Sequence, residues 1–196
     1  MWIPSLKLAR LAAVAAVFSL PAWAAGAESA APPADAEPAV WTPKELTFVY
    51  QGFTSHYSCD GLREKMRQVL LTLGAREDLE VWPYGCTSPA GRPDPFPGVR
   101  IKMSVLNPVS GAPAAAATVP AQWKKVDVRL NRDPVNEAGD CELLEQVKQK
   151  ILPQFTTRHV DFSSNCVPHQ LSTGGNWLRA EVLTAPQKDD KAPASK

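Results

Sequence analysis

A chain that carries one unit twice has few ways to fold, because whatever buries the apolar face of one copy must also serve the other. Sliding this sequence over itself by 82 residues lays Phe48 on Leu130, Ser58 on Asp140, Cys59 on Cys141, Asp60 on Glu142 and Leu62 on Leu144. The same shift lays Val69 and Leu70 on Ile151 and Leu152.

Each copy can be read without the match. Leu46, Phe48 and Tyr50 alternate with Thr47, Val49 and Gln51, and Val126, Val128 and Leu130 alternate with Lys125, Asp127, Arg129 and Asn131. Alternation of this kind predicts half-buried strands. Ser58 and Asp140 are N-cap types, each followed two residues later by an acid that suits a helix start. The first predicted helix places Cys59, Leu62, Met66, Val69, Leu70 and Leu73 on one stripe and stops at Gly74. The second places Cys141, Leu144, Val147, Ile151 and also Leu143 on a similar stripe and stops at Pro153. A strand follows each helix, with Leu79 and Val81, then Val160 and Phe162, turned inward. A third strand follows each of those, Val99 to Leu106 and Trp177 to Thr184.

The expected fold is therefore α+β, two β-α-β-β repeats in a ferredoxin-like sandwich with helices on one face of an antiparallel or mixed sheet. The expected organisation is a signal peptide at 1–24, an Ala/Pro spacer at 25–43, and a first repeat at 44–106. An Ala/Pro connector at 107–122, a second repeat at 123–185 and a disordered tail at 186–196 complete it.

The leader has Lys7 and Arg10, an apolar run from Leu11 to Leu20, and small residues at Ala22 and Ala24, which predicts cleavage before Ala25 and a periplasmic or secreted product. The run is too short to span a bilayer, and no later segment is apolar enough. Cleavage removes two basic residues and no acid, so the 21 Lys plus Arg fall to 19 against 20 Asp plus Glu. That balance argues against a nucleic-acid partner.

Four cysteines in an exported chain read as two disulfides, and a shared structure for both halves selects Cys59 with Cys86 and Cys141 with Cys166. His56 lies three residues before Cys59 and His169 three after Cys166, a spacing that a soft metal could use if the thiols were free. No C-x-x-C, G-x-S-x-G, H-E-x-x-H or phosphate-loop motif occurs, and Asp133, Glu137 and Asp140 lack the glycine of a calcium loop. No cofactor is implied.

Strand parity places Val49, Trp82, Arg100, Lys102, Lys125, Arg129, His159, Asp161, Trp177 and Arg179 on the sheet face away from the helices. Among these, Trp82, Arg100, Lys102, Arg129, Trp177 and Arg179 form the candidate binding surface, since aromatics beside basic groups are a common recognition composition. The functional expectation is a non-catalytic exported binding module whose partner is an envelope protein or another periplasmic ligand. Metal handling through His56 and His169, or an enzyme with a cleft between the halves, are the alternatives.

Overall fold

Sheet and core begin earlier in the chain than the alternation at Leu46 announces. The computed structural model describes residues 36–88, 92–109, 117–130, 140–172 and 175–186, and its first strand, β1, spans Glu37–Val49. Residues 37–43, expected in the spacer, thus belong to the sheet. Burial explains it: Ala39 is flanked by Pro108 on one side and Val119 on the other, and is fully enclosed where only a methyl group is needed. The expected connector shrinks for the same reason, since β3 spans Gly98–Pro108 and β4 spans Val119–Asp127. The leader, the earlier spacer, residues 110–116, Asp133, Glu137 and the tail from 187 lie outside the described residues.

The other elements are α1 (Cys59–Thr72), β2 (Glu80–Tyr84), α2 (Cys141–Gln146), β5 (Thr157–Ser163) and β6 (Trp177–Thr184). One six-stranded antiparallel sheet has the order β2-β3-β1-β4-β6-β5. In each half the strand after the helix lies at an outer edge, and the third strand fills the place between it and the first. The class is α+β, with both helices packed on one face of the sheet.

That face holds the main core. Leu62, Met66, Val69, Leu70 and Leu73 of the first helix region meet Phe48, Val99, Ile101 and Val105, while Leu143, Leu144, Val147 and Ile151 meet Val126, Leu178 and Val182. Three local expectations need correction. Ser58 caps α1 by accepting from the Gly61 N–H at 3.1 Å, but Asp140 makes no cap hydrogen bond, because its carboxylate is taken by Tyr57 and Lys65. Pro153 does not stop the second helix from outside: the helix loosens into a π turn at Val147–Ile151 and ends as a 3₁₀ turn, Leu152–Gln154, that contains the proline. A proline ring collides with the carbonyl four residues back, so the ladder there cannot stay α-helical. Val160 is exposed rather than inward, because β5 carries an irregularity between Arg158 and Asp161, where His159 adopts φ 50°.

The halves interlock. β1 and β4 pair over only three residues, Glu37 with Ala121, Pro38 with Pro120 and Ala39 with Val119, and beyond that seam a lysine from each helical region reaches a backbone carbonyl of the other half. Lys65 of α1 donates to the Leu130 carbonyl at 3.0 Å, and Lys150 of the π turn donates to the Val49 carbonyl at 3.4 Å. Behind the seam, Gly74 at φ 88° leaves no room for a side chain: a Cβ would lie 2.6 Å from Thr184 Cγ2. Gly74→Ala should therefore cost about 1–3 kcal/mol, through both the left-handed backbone and the contact. Urea unfolding measures it, and an unchanged midpoint would contradict the packing.

The disulfides join Cys59 to Cys86 and Cys141 to Cys166, so each fastens a helix start to the chain just beyond an edge strand. Beside the first, Asp94 is buried and accepts from the Thr87 and Ser88 N–H groups at 2.7 and 2.9 Å. These backbone donors hold its carboxyl at about 2. A depressed carboxylate contributes its stability above the unfolded value of 3.8 and loses it as pH falls through about 2. Hydrogen exchange at Thr87 and Ser88 should accordingly stay slow from neutrality to below pH 4 and quicken only toward pH 2. Asp94→Asn should remove that protection at neutral pH.

Candidate functional site: the helix-free face of the sheet

On β2 and β3 the face away from the helices is built from directly opposed residues, Trp82 with Arg100 and Glu80 with Lys102. The edge position of β2 leaves Trp82 41% and Tyr84 39% exposed. Lys102 lies over the Trp82 ring at 5.6 Å and Arg100 over the Tyr84 ring at 4.8 Å. Lys102 also reaches Glu45 at 3.4 Å, between two exposed side chains where such a pair contributes little. Thr47 stands opposite Arg100 on β1, so two aromatic rings, two cations and a hydroxyl share one open surface. Tyr84 was not among the expected residues.

Arg129, Trp177 and Arg179 form a second group, in the other half. Arg129 and Arg179 converge on Asp127 at 3.0 and 3.6 Å. The Trp177 indole donates to Asp161 at 3.1 Å, and Arg179 stacks on its ring at 5.5 Å. The three line a pocket of about 250 Å³ together with Asp140. Nothing in the geometry joins this group to the first, so the six expected residues make two surfaces, and the cations of the second are already matched by carboxylates. Lys125 opposes Glu181, and His159 lies 3.2 Å from it.

Between the two groups the same face holds a small buried cluster at the seam, Ala39, Leu106, Ala121 and Leu183, packed by Trp41 and Trp123. Trp41 opposes Leu106 and Trp123 opposes Leu183. Arg76 stacks on Trp41 at 5.6 Å while held by Asp78 at 2.6 Å, and Arg158 stacks on Trp123 at 4.2 Å while held by Glu181 at 2.6 Å. Matching ion pairs hold the Glu181 and Asp78 carboxyls below their usual range, chiefly through the arginine hydrogen bonds. Sequence reasoning passed over these tryptophans by placing Trp41 in the spacer, although the signal was present. Pro38-Ala39-Val40-Trp41 and Pro120-Ala121-Gln122-Trp123 lie 82 residues apart, as do Arg76 and Arg158.

No family model, curated protein or solved structure matches this chain.

The cleft between the halves does contain ionisable groups. Glu142 accepts from the Phe53 and Thr54 N–H groups at 2.9 and 3.0 Å and from the Tyr50 hydroxyl at 3.2 Å. Asp140 accepts from the Tyr57 hydroxyl, and from Lys65 at 2.7 Å. Burial first, then the charge of Glu142 on Tyr50 and of Asp140 on Tyr57, pushes both phenols well above the usual tyrosine value. They stay protonated donors at any physiological pH. Each carboxylate is thus committed to fixed donors from the other half, the pattern of a clamp.

Metal binding at His56 and His169 required thiolates beside them, and the disulfides use all four sulfurs. His169 instead packs its ring on Phe53 at 5.4 Å. Among the described residues no group of three or more His, Cys, Asp or Glu is placed to hold an ion.

Proposed function

We propose that this is an exported, non-catalytic binding module built from two copies of one β-α-β-β unit, and that it engages an envelope partner through the Trp82, Tyr84, Arg100 and Lys102 surface. The observation that carries this reading is the exposure of two large aromatics on an edge strand, each with a cation over its ring. Aromatic and arginine side chains anchor many interfaces, because they bury much area at modest entropic cost. Two disulfides suit an extracellular, disulfide-stabilised protein, and no described helix is long and apolar enough to cross a membrane. The leader at residues 1–24 supports a periplasmic or secreted product. Duplication is supported by the mirrored strand order and by the repeated Pro-Ala-x-Trp segment, whose prolines face each other across the seam.

Site-specific photo-crosslinking from position 82 in the producing cell tests the reading. A discrete adduct that disappears in Arg100→Ala is expected, as is a thermal transition within about 2 °C of wild type, because neither side chain supports the core. No adduct at position 82, or loss of fold in Arg100→Ala, would defeat the assignment.

A further inference from the structure

Among the described residues the four most exposed large apolar side chains are Leu171 at 69%, Phe96 at 63%, Phe53 at 61% and Val167 at 47%. All four lie on connections beside the disulfides, residues 50–58, 85–97 and 164–176, which lead into Cys59 or carry Cys86 and Cys166. The first connection touches the other two. The Tyr50 N–H donates to the Pro97 carbonyl at 2.9 Å and the Asp94 N–H to the Tyr57 carbonyl at 3.0 Å, while the Phe53 ring meets that of His169 at 5.4 Å. Apolar tips distant in sequence therefore share one loop cluster.

Each tip is held out by fixed backbone. Glu142 accepts from both the Phe53 and the Thr54 N–H groups, and Gly52 admits no side chain, since a Cβ there would collide with the Tyr50 hydroxyl. Phe96 stands between Pro95 and Pro97, and its N–H donates to Asp94 at 3.3 Å. The Gln170 N–H donates to the Val167 carbonyl at 3.0 Å, closing a turn in which His169 adopts φ 66°, and Leu171 follows between that turn and the buried Ser172. Loops pinned in this way present their tips instead of folding them back onto the core. Charge is missing from the same loops. Asp, Glu, Lys and Arg make up 21% of the chain, whereas these three connections together contain only Arg92 and Asp94. Asp94 is buried and bonded inward, so the exposed Arg92 is the one permanently ionised group they present.

We propose that this loop cluster docks on the surface of an anionic lipid bilayer, with Phe53, Phe96 and Leu171 entering the interfacial layer and Arg92 meeting the headgroups. Single exposed apolar residues are ordinary on a protein surface; their concentration on adjacent, rigid, charge-poor loops is not. A protein partner would have to match several separate tips and the polar backbone between them, whereas a fluid bilayer takes up each tip on its own. Loops without an exposed carboxylate meet no repulsion from an anionic headgroup layer, and Arg92 has the attracting sign. The cluster uses none of the residues of the Trp82 surface, so each can fail alone.

Flotation of the oxidised protein with vesicles of phosphatidylethanolamine and phosphatidylglycerol tests the proposal. The protein should rise with the vesicles, and its partition should weaken at least about tenfold in Phe53→Ser and again in Leu171→Ser, the effect of withdrawing one large apolar side chain from burial. Exchanging phosphatidylglycerol for phosphatidylcholine should weaken it about fivefold, as expected for one basic residue, and Arg92→Gln should remove that dependence. Both serine variants should keep the near-ultraviolet circular dichroism, because the side chains are exposed; if Phe53→Ser does not, Leu171→Ser on the other half carries the test. Spin-labelled lipid should broaden the nuclear magnetic resonance signals of Phe53 and Leu171 and leave the Trp41 indole sharp. No flotation, unchanged partition in the serine variants, or broadening centred on Trp82 would overturn the assignment. A protein adduct crosslinked from position 53 without vesicle binding would give the tips to a protein partner, and self-association lost in Leu171→Ser without vesicle binding would give them to a second copy. Either result overturns the bilayer.

Discussion

Reducing both disulfides should bring the chain to the margin of folding. Cys59 and Cys86 close a loop of 27 residues and Cys141 and Cys166 one of 25. In the chain-entropy account each closure contributes about 3.5 kcal/mol, so together they match much of the roughly 5–15 kcal/mol by which domains are usually stable. The melting temperature should fall by roughly 20 °C, at about 3 °C per kcal/mol for a domain of this size. The loss should also be ordered in space. Each disulfide fastens the end of an edge strand that has a single neighbour in the sheet, whereas β1 and β3 pair along eleven residue pairs. Hydrogen exchange in the reduced protein should therefore open β2 and β5 first and β1 and β3 last. A reduced protein that melts within a few degrees of the oxidised one would show that the interlocked core suffices by itself.

What was legible from the residues was the part governed by period. Alternation at Phe48–Tyr50 and Val126–Leu130, and the aliphatic stripes of both helices, correspond to buried positions because a repeating pattern averages over local noise, while Leu46 at the strand's start is only partly buried. Trp41 was legible only through the repeat of Pro-Ala-x-Trp 82 residues on, and the enclosure of Ala39 and Ala121 was not legible at all, since alanine and proline describe a linker by composition and only tertiary contact turns the pair into a buried seam. Val160 failed for a related reason: a single irregularity in β5 reverses side-chain direction, and no local signal marks it. The candidate surface was legible by strand parity for Trp82, Arg100 and Lys102. Parity alone could not tell that Arg129, Trp177 and Arg179 belong to a separate, internally matched group.

The acidic pair Asp140 and Glu142 shows most clearly how the same residues can be read two ways. As a sequence they are a helix cap and a first-turn acid, each worth about 1 kcal/mol. In the fold they are 6% and 8% exposed and their partners come from the other half. Asp140 lies against Lys65, whose side chain is itself only 20% exposed. Lys65 sits 5.7 Å from the Tyr57 ring, and that ring packs edge-on against Tyr50 at 4.9 Å. Replacing the carboxylate with a methyl group would strand the lysine charge and the Tyr57 hydroxyl together. Asp140→Ala should therefore cost about 3–5 kcal/mol, several times the loss of a helix cap. If Asp140 were only a cap, Asp140→Ser would restore stability, because serine caps as well as aspartate. If it is a clamp, Asp140→Ser should stay strongly destabilised, and a cycle with Lys65→Met should show coupling of about 1–3 kcal/mol. Chemical unfolding of the four single and double variants decides between them: full rescue by serine, or additivity with Lys65→Met, would refute the clamp.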